Sequence, residues 1–160
     1  MVKVLRLAIL ATLVSLALLA GPGAAATMGS IAKARVNIRA RPNLRSPVRF
    51  RAELGQPLQL DRRQDNWVFV QDWKGNAGWI YRPLLSRIHT IIVLAAKANL
   101  RKGPGLKNRV VGQASRGEVY KIFGCRGNWV KIGYYLEDEV IGWIHGDLVW
   151  GLKPRRWPRH

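Results

Sequence analysis

VNIRARPN, residues 36–43, returns in altered form as ANLRKGPG, residues 98–105, and that return decides how the chain is read. Outward from it, Asn37, Arg39, Pro42, Val48, Gly55, Asn66 and Trp67 recur 62 residues later as Asn99, Arg101, Pro104, Val110, Gly117, Asn128 and Trp129. Gly78-Trp79, inside NAGWIYRPLL, recurs 64 residues later as Gly142-Trp143, inside VIGWIHGDLV. The order is kept, and two residues are gained between the last two tryptophans. Such a period means one small module used twice, so fold and function are read per module.

Each copy is about 60 residues, near the lower limit for a self-sufficient hydrophobic core. Cys125 is the single cysteine, so no disulfide can form within the chain. A free cysteine is expected to serve as a small buried apolar residue. The copies are therefore expected to stabilise each other by packing. The segment joining them, residues 88–94, supports this, being apolar and β-branched rather than a Gly/Ser tether.

After residue 26 no stretch sustains an apolar period of 3.6 residues. Short β-rich runs separated by turn residues fill the chain instead. The expected strands are 34–38, 48–52, 57–61, 67–72 and 77–81 in the first copy, and 90–95, 110–114, 119–123, 129–134 and 140–144 in the second. Lys74-Gly75-Asn76 reads as a tight hairpin. Its counterpart near Leu136-Glu137-Asp138-Glu139 absorbs the two extra residues, as surface loops do. Alternation puts Val68 and Val70 opposite Trp67 and Phe69, and Ile80 opposite Trp79 and Tyr81. The aliphatic face is the expected core, in an all-β chain of two tandem small barrels.

These residues reach a family resemblance. The pattern of Asn-[Ile/Leu]-Arg, a Pro/Gly turn, a valine, a lone glycine, Asn-Trp-Val and finally Gly-Trp-Ile resembles bacterial SH3 domains, over residues 34–86 and 96–150. CRGNWVKI and the closing LVWG look like the form found as tandem copies in small exported bacterial proteins. The resemblance implies SH3-like barrels of five to six strands, a kind of module that often targets cell-wall-acting proteins to peptidoglycan. It implies no single set of catalytic or binding residues.

The start of the chain reads as an export signal. Lys3 and Arg6 precede an uncharged apolar run, residues 7–20, followed by Gly21-Pro22-Gly23 and then Ala24-Ala25-Ala26 as a cleavage site. The alternative is an uncleaved anchor, although the 14-residue run falls short of the roughly 20 that a spanning helix needs. The expected organisation is a signal at 1–26, barrels at 27–87 and 88–151, and a basic flexible tail at 152–160.

The formal charge is +18, and both copies share it. Residues 27–89 hold 12 Lys/Arg against 4 Asp/Glu, and residues 90–160 hold 13 against 5. Attraction to anionic partners follows. For an exported protein these are peptidoglycan carboxylates, anionic lipid, lipopolysaccharide phosphates or an envelope protein, with nucleic acid a lesser candidate. The localisation expected is periplasmic or extracellular.

Seven tryptophans and the arginine excess point to binding, since Trp and Arg most often dominate binding surfaces. Trp67 and Trp79 match Trp129 and Trp143, and such pairs serve equally as half-buried packing. Trp73, beside the hairpin, has no counterpart and is expected to be exposed. Tyr81 aligns with His145. Arg39 and Arg41 flank the first turn, as Arg101 flanks the second, and an arginine forks two hydrogen bonds to a carboxylate or phosphate. The candidate ligand-binding residues are thus Arg39, Arg41, Trp67, Trp73, Trp79, Tyr81, Arg101, Trp129 and Trp143. The scattered histidines have no metal-ligand spacing, and no cofactor is expected. Cys125 with His145 is the one conceivable nucleophile and base. The expected function is a non-enzymatic binding or adaptor role in the cell envelope. The alternatives are a protein–protein module of an envelope complex and a charge-driven binder of anionic polymer.

Overall fold

A computed structural model describes residues 27–152. The expected export signal and residues 153–160 of the expected tail lie outside the described residues.

Fourteen strands follow in chain order. The first seven are β1 (Thr27–Ile31), β2 (Val36–Arg39), β3 (Val48–Ala52), β4 (Pro57–Gln64), β5 (Trp67–Gln71), β6 (Ala77–Tyr81) and β7 (Leu85–Ser86), with a 3-10 turn at Arg82–Leu84. The next seven are β8 (Thr90–Val93), β9 (Lys97–Arg101), β10 (Val110–Ser115), β11 (Val119–Arg126), β12 (Trp129–Gly133), β13 (Gly142–His145) and β14 (Val149–Trp150), with a 3-10 turn at Gly146–Leu148. They make two seven-stranded antiparallel sheets, ordered β3-β2-β6-β5-β4-β1-β7 and β10-β9-β13-β12-β11-β8-β14. Adding seven to each number of the first order produces the second, so the sequence repeat is a repeat of topology.

Alternation explains the strands and the cores. Val68, Val70 and Ile80 are buried, joined by Ile31, Ile38 and Leu58. In the second barrel Val130, Ile132 and Ile144 are buried with Ile91, Val93 and Leu100. The aliphatic face is the core, as the period of two requires. The repeated lone glycine is a backbone requirement: Gly55 and Gly117 have φ of 74° and 88°, a left-handed conformation that strains any residue with a Cβ. The expected hairpin at Lys74-Gly75-Asn76 is closed by Asp72, whose Oδ1 accepts the backbone N–H groups of Lys74 (2.9 Å) and Asn76 (2.8 Å).

Several expectations change. Strand β9 had no place among the expected strands, although it is the partner of β2 in the repeat. Its Lys97-Ala98-Asn99-Leu100-Arg101 alternates, burying Ala98 and Leu100, but carries little β propensity. Strand β1 and the two-residue β7 and β14 were likewise unanticipated. The segment joining the copies keeps its expected strand: residues 90–93 form β8, buried along its whole length. Cys125 is exposed rather than buried. The pairing of β11 with β12 shifts between Ile122 and Gly124, and a bulge of this kind breaks the alternation that would carry the next residues inward.

The barrels pack directly on one another. Thr90 Oγ1 donates to the Gly55 carbonyl (2.7 Å) in a buried bond, and Ser30 Oγ donates to the Ile88 carbonyl (2.7 Å). Tyr135, on the longer second hairpin, donates its hydroxyl to the Ile31 carbonyl (3.2 Å). Its ring lies so close to Gly55 that a Cβ there would stand 2.8 Å from it.

Candidate binding grooves

The first groove begins with a brace. Arg39 at the end of β2 donates Nη1–H to the Ser46 carbonyl (2.8 Å), while Ala40 N–H donates to the Pro47 carbonyl (2.9 Å). The loop between β2 and β3 is thus folded back on its own strand. Arg101 does the same to the Asn108 carbonyl (2.8 Å), with Lys102 N–H on the Arg109 carbonyl (2.9 Å). Each arginine therefore spends one donor of its fork on the loop and keeps others. Each braced loop holds out a leucine, Leu44 at 73% exposure and Leu106 at 75%.

Facing that leucine stands a tryptophan. Trp67 opens β5 and lies opposite Tyr81 of β6 in the ladder, with ring centroids 5.7 Å apart. Trp129 opens β12 and lies opposite His145 of β13, rings edge-to-face at 5.0 Å. Leucine, arginine and aromatic pair enclose a groove of about 260 Å³ in the first barrel and about 400 Å³ in the second. Lys33 and Arg35 add charge to the first groove and Lys97 to the second. Around His145, Asp147 Oδ2 lies 3.6 Å from Nδ1, and Asn128 Nδ2 lies 3.4 Å from Nε2 while donating to Asp147 Oδ1 (2.8 Å).

The candidate residues separate by position. Arg39, Trp67 and Tyr81 meet in the first groove, and Arg101 and Trp129 in the second. Trp79 is 8% exposed, packed edge-on against Phe69 at 5.4 Å. Arg62 lies over the Phe69 ring at 4.0 Å from its centroid. Trp143 is half-buried opposite Arg101 and Lys131 in the ladder. Arg41 is exposed on the first loop, its N–H donating to Ser46 Oγ (2.8 Å). Trp73 is half-buried rather than exposed, and the Lys74 ammonium lies 5.0 Å from its ring centroid, within cation–π range. Leu44, Leu106 and His145 line the grooves without having been singled out as ligand-binding residues. The 62-residue spacing of Leu44 and Leu106 inside polar turns could have pointed to the two leucines.

A further cavity of about 740 Å³ is lined by both barrels, with Met28 and Gln59 from the first and Ile122, Val130 and Trp150 from the second. Cys125 sits on its wall, on β11, whereas His145 is on β13, and β12 runs between those two strands. Among the described residues no cluster of His, Cys, Asp and Glu is placed to hold a metal ion. Tyr120, part of the second core, has its phenol pushed well above the ordinary range, by burial first and then by its hydrogen bond to Glu118 (2.7 Å).

Comparison with known proteins bears on both copies. The chain is 22% identical over 130 residues to YrvJ of Bacillus subtilis (strain 168), whose name assigns it provisionally to the N-acetylmuramoyl-L-alanine amidases. The match covers 74% of this chain and 24% of that protein's length, so the chain spans about a quarter of that relative. Two solved structures from Trichomonas vaginalis also align. NlpC2 has a TM-score of 0.32 at 15% identity, covering 78% of this chain and 48% of its own. NlpC1 has 0.33 at 17%, covering 86% and 50%. Residues 32–87 match one bacterial SH3 domain model and residues 96–149 match another. With both topological repeats matched in this way, the chain belongs to the bacterial SH3 domain family, as a tandem pair.

Proposed function

We propose that this protein is an exported, non-enzymatic binding module of the cell envelope that holds peptidoglycan through its paired grooves. The observation that carries this reading is the equivalence of the grooves: leucine, arginine and tryptophan stand at matched positions in both. A tryptophan face suits the apolar face of a sugar ring, and the free donors of a braced arginine suit a stem-peptide carboxylate. Two weak sites on one rigid pair gain by multivalency on a polymer. The resemblance to a protein named for cleaving the same polymer agrees with this reading.

The test is sedimentation with purified sacculi, comparing wild type with Trp67→Ala/Trp129→Ala, with thermal melting to verify that the variant is folded. The double variant is expected to lose most of its retention. Wild-type retention no greater than that of an unrelated basic protein of equal charge would sink the proposal. A protein partner is the second reading, favoured by the exposed Tyr134, Leu136 and Val140 on the second hairpin. One stoichiometric crosslinked protein, with no retention on the wall, would decide for it.

A further inference from the structure

One row of side chains crosses each sheet beside its groove, and the two rows are finished differently. In the first barrel Arg39, Trp79 and Phe69 stand opposite one another on β2, β6 and β5. Arg62, at the irregularity of β4, lays its guanidinium over this row, 4.0 Å from the Phe69 centroid and 5.5 Å from that of Trp79. It is paired with Asp61 (2.8 Å). Trp79 is buried beneath it. A long cationic side chain covers apolar surface in this way while its charge stays in water.

In the second barrel the same row is Arg101, Trp143 and Lys131. Lys131 takes the place of Phe69, and Gly124, paired with it, takes the place of Arg62. Among the described residues a Cβ on Gly124 would meet nothing within 4 Å. Phe123, the extra residue of that bulge, packs its ring at Gly133, where a Cβ would stand 2.8 Å from it. Trp143 is half-buried where Trp79 is buried. The aromatic platform is kept, its lid is gone, and a cationic residue pairs with it on either side.

The platform continues the groove. Arg101 lines the second groove and pairs with Trp143 in the ladder. Trp129 lies on the same face of the sheet, two residues from Lys131. A glycan that leaves Trp129 past Arg101 meets Trp143 next. Resting on the proposed function, we infer that Trp143 is a further sugar subsite, so that the second barrel holds a longer stretch of glycan than the first. Arg101 and Lys131 stand beside it for carboxylates carried by the same chain. In the first barrel Arg62 fills the equivalent place.

Two swaps test this without changing net charge. Gly124→Arg/Lys131→Phe gives the second barrel the lid of the first, and Arg62→Gly/Phe69→Lys removes the lid from the first. The backbone of Gly124 lies outside the left-handed region, so it accepts a side chain. Retention on purified sacculi is measured for both, with thermal melting to verify folding. The first swap is expected to lower retention about fivefold, the size of one aromatic interface contact, and the second to raise it. Glycan strands stripped of stem peptides are expected to compete better with wild type than with the first swap. Equal competition overturns the assignment to sugar. Unchanged retention in the first swap, with the loss in Trp67→Ala/Trp129→Ala intact, overturns the subsite and leaves the groove reading standing. If wild type is retained no better than a basic protein of equal charge, both fall together.

Discussion

The turn at Gly55 and the turn at Gly117 are the same turn in the two barrels, and they teach different things. Both glycines adopt positive φ, and their N–H groups donate to the Ile31 and Val93 carbonyls at the same 2.9 Å. Among the described residues a Cβ at Gly117 would meet nothing within 4 Å, whereas one at Gly55 would meet the ring of Tyr135. The first turn is therefore also a socket for the second barrel. Duplication copied the turn, and the longer second hairpin turned one copy of it into a joint.

That comparison can be broken or sharpened in order of effect. Ile80→Ala and Ile144→Ala each remove a fully buried side chain from one core and are expected to cost about 2–5 kcal/mol. Because the barrels share a buried joint, urea unfolding followed by tryptophan fluorescence is expected to stay a single transition. Two separated transitions would show that the barrels unfold independently. Next, Gly117→Ala is expected to cost about 1–2 kcal/mol, from backbone strain alone. Gly55→Ala is expected to cost more than Gly117→Ala, and Tyr135→Ala in the same chain to recover the excess. Equal costs would mean that the ring moves aside freely.

Arg39→Ala and Arg101→Ala remove the same brace from the two loops, and are expected to cost similar amounts, about 1–2 kcal/mol each. A large inequality in denaturant midpoints would show that one loop is held by something else. The smallest effect is expected at Asp138, whose carboxyl is held below the ordinary range by the hydrogen bond and charge of Lys121. Its folded pKa is lowered, so its contribution is present above about pH 4 and is lost as pH falls through the folded value. NMR titration should show the Asp138 carboxyl returning towards the ordinary range in Lys121→Met.

The repeat and the period-two alternation made the barrels legible before any coordinates. Val68, Val70 and Ile80 are buried because strand alternation leaves them no other face once Trp67 and Phe69 turn outward. Strand β9 was hidden because Lys, Asn and Ala suppress the β signal, although alignment to β2 would have exposed it. Cys125 was misplaced because the expectation rested on where free cysteines usually sit, and the bulge just ahead of it leaves little mark in sequence. The grooves were half legible. Matched arginines and tryptophans were visible, but Trp67 and Trp79 look alike in sequence, and only the ladder puts one at a groove and the other against Phe69. The role of Tyr135 could not be read at all, because it depends on where the other barrel lies.

The joint also has a head and a tail. Barrel one offers the socket and barrel two the plug, which is the heterologous kind of contact, closed here by nothing in its own symmetry. Gly117 repeats the socket and stands open. A designer who fused another copy of residues 88–152 behind the second barrel would present Tyr135 of the added copy to that open turn. The contact is thus directional, and the second barrel carries an unused copy of the turn that received the first plug.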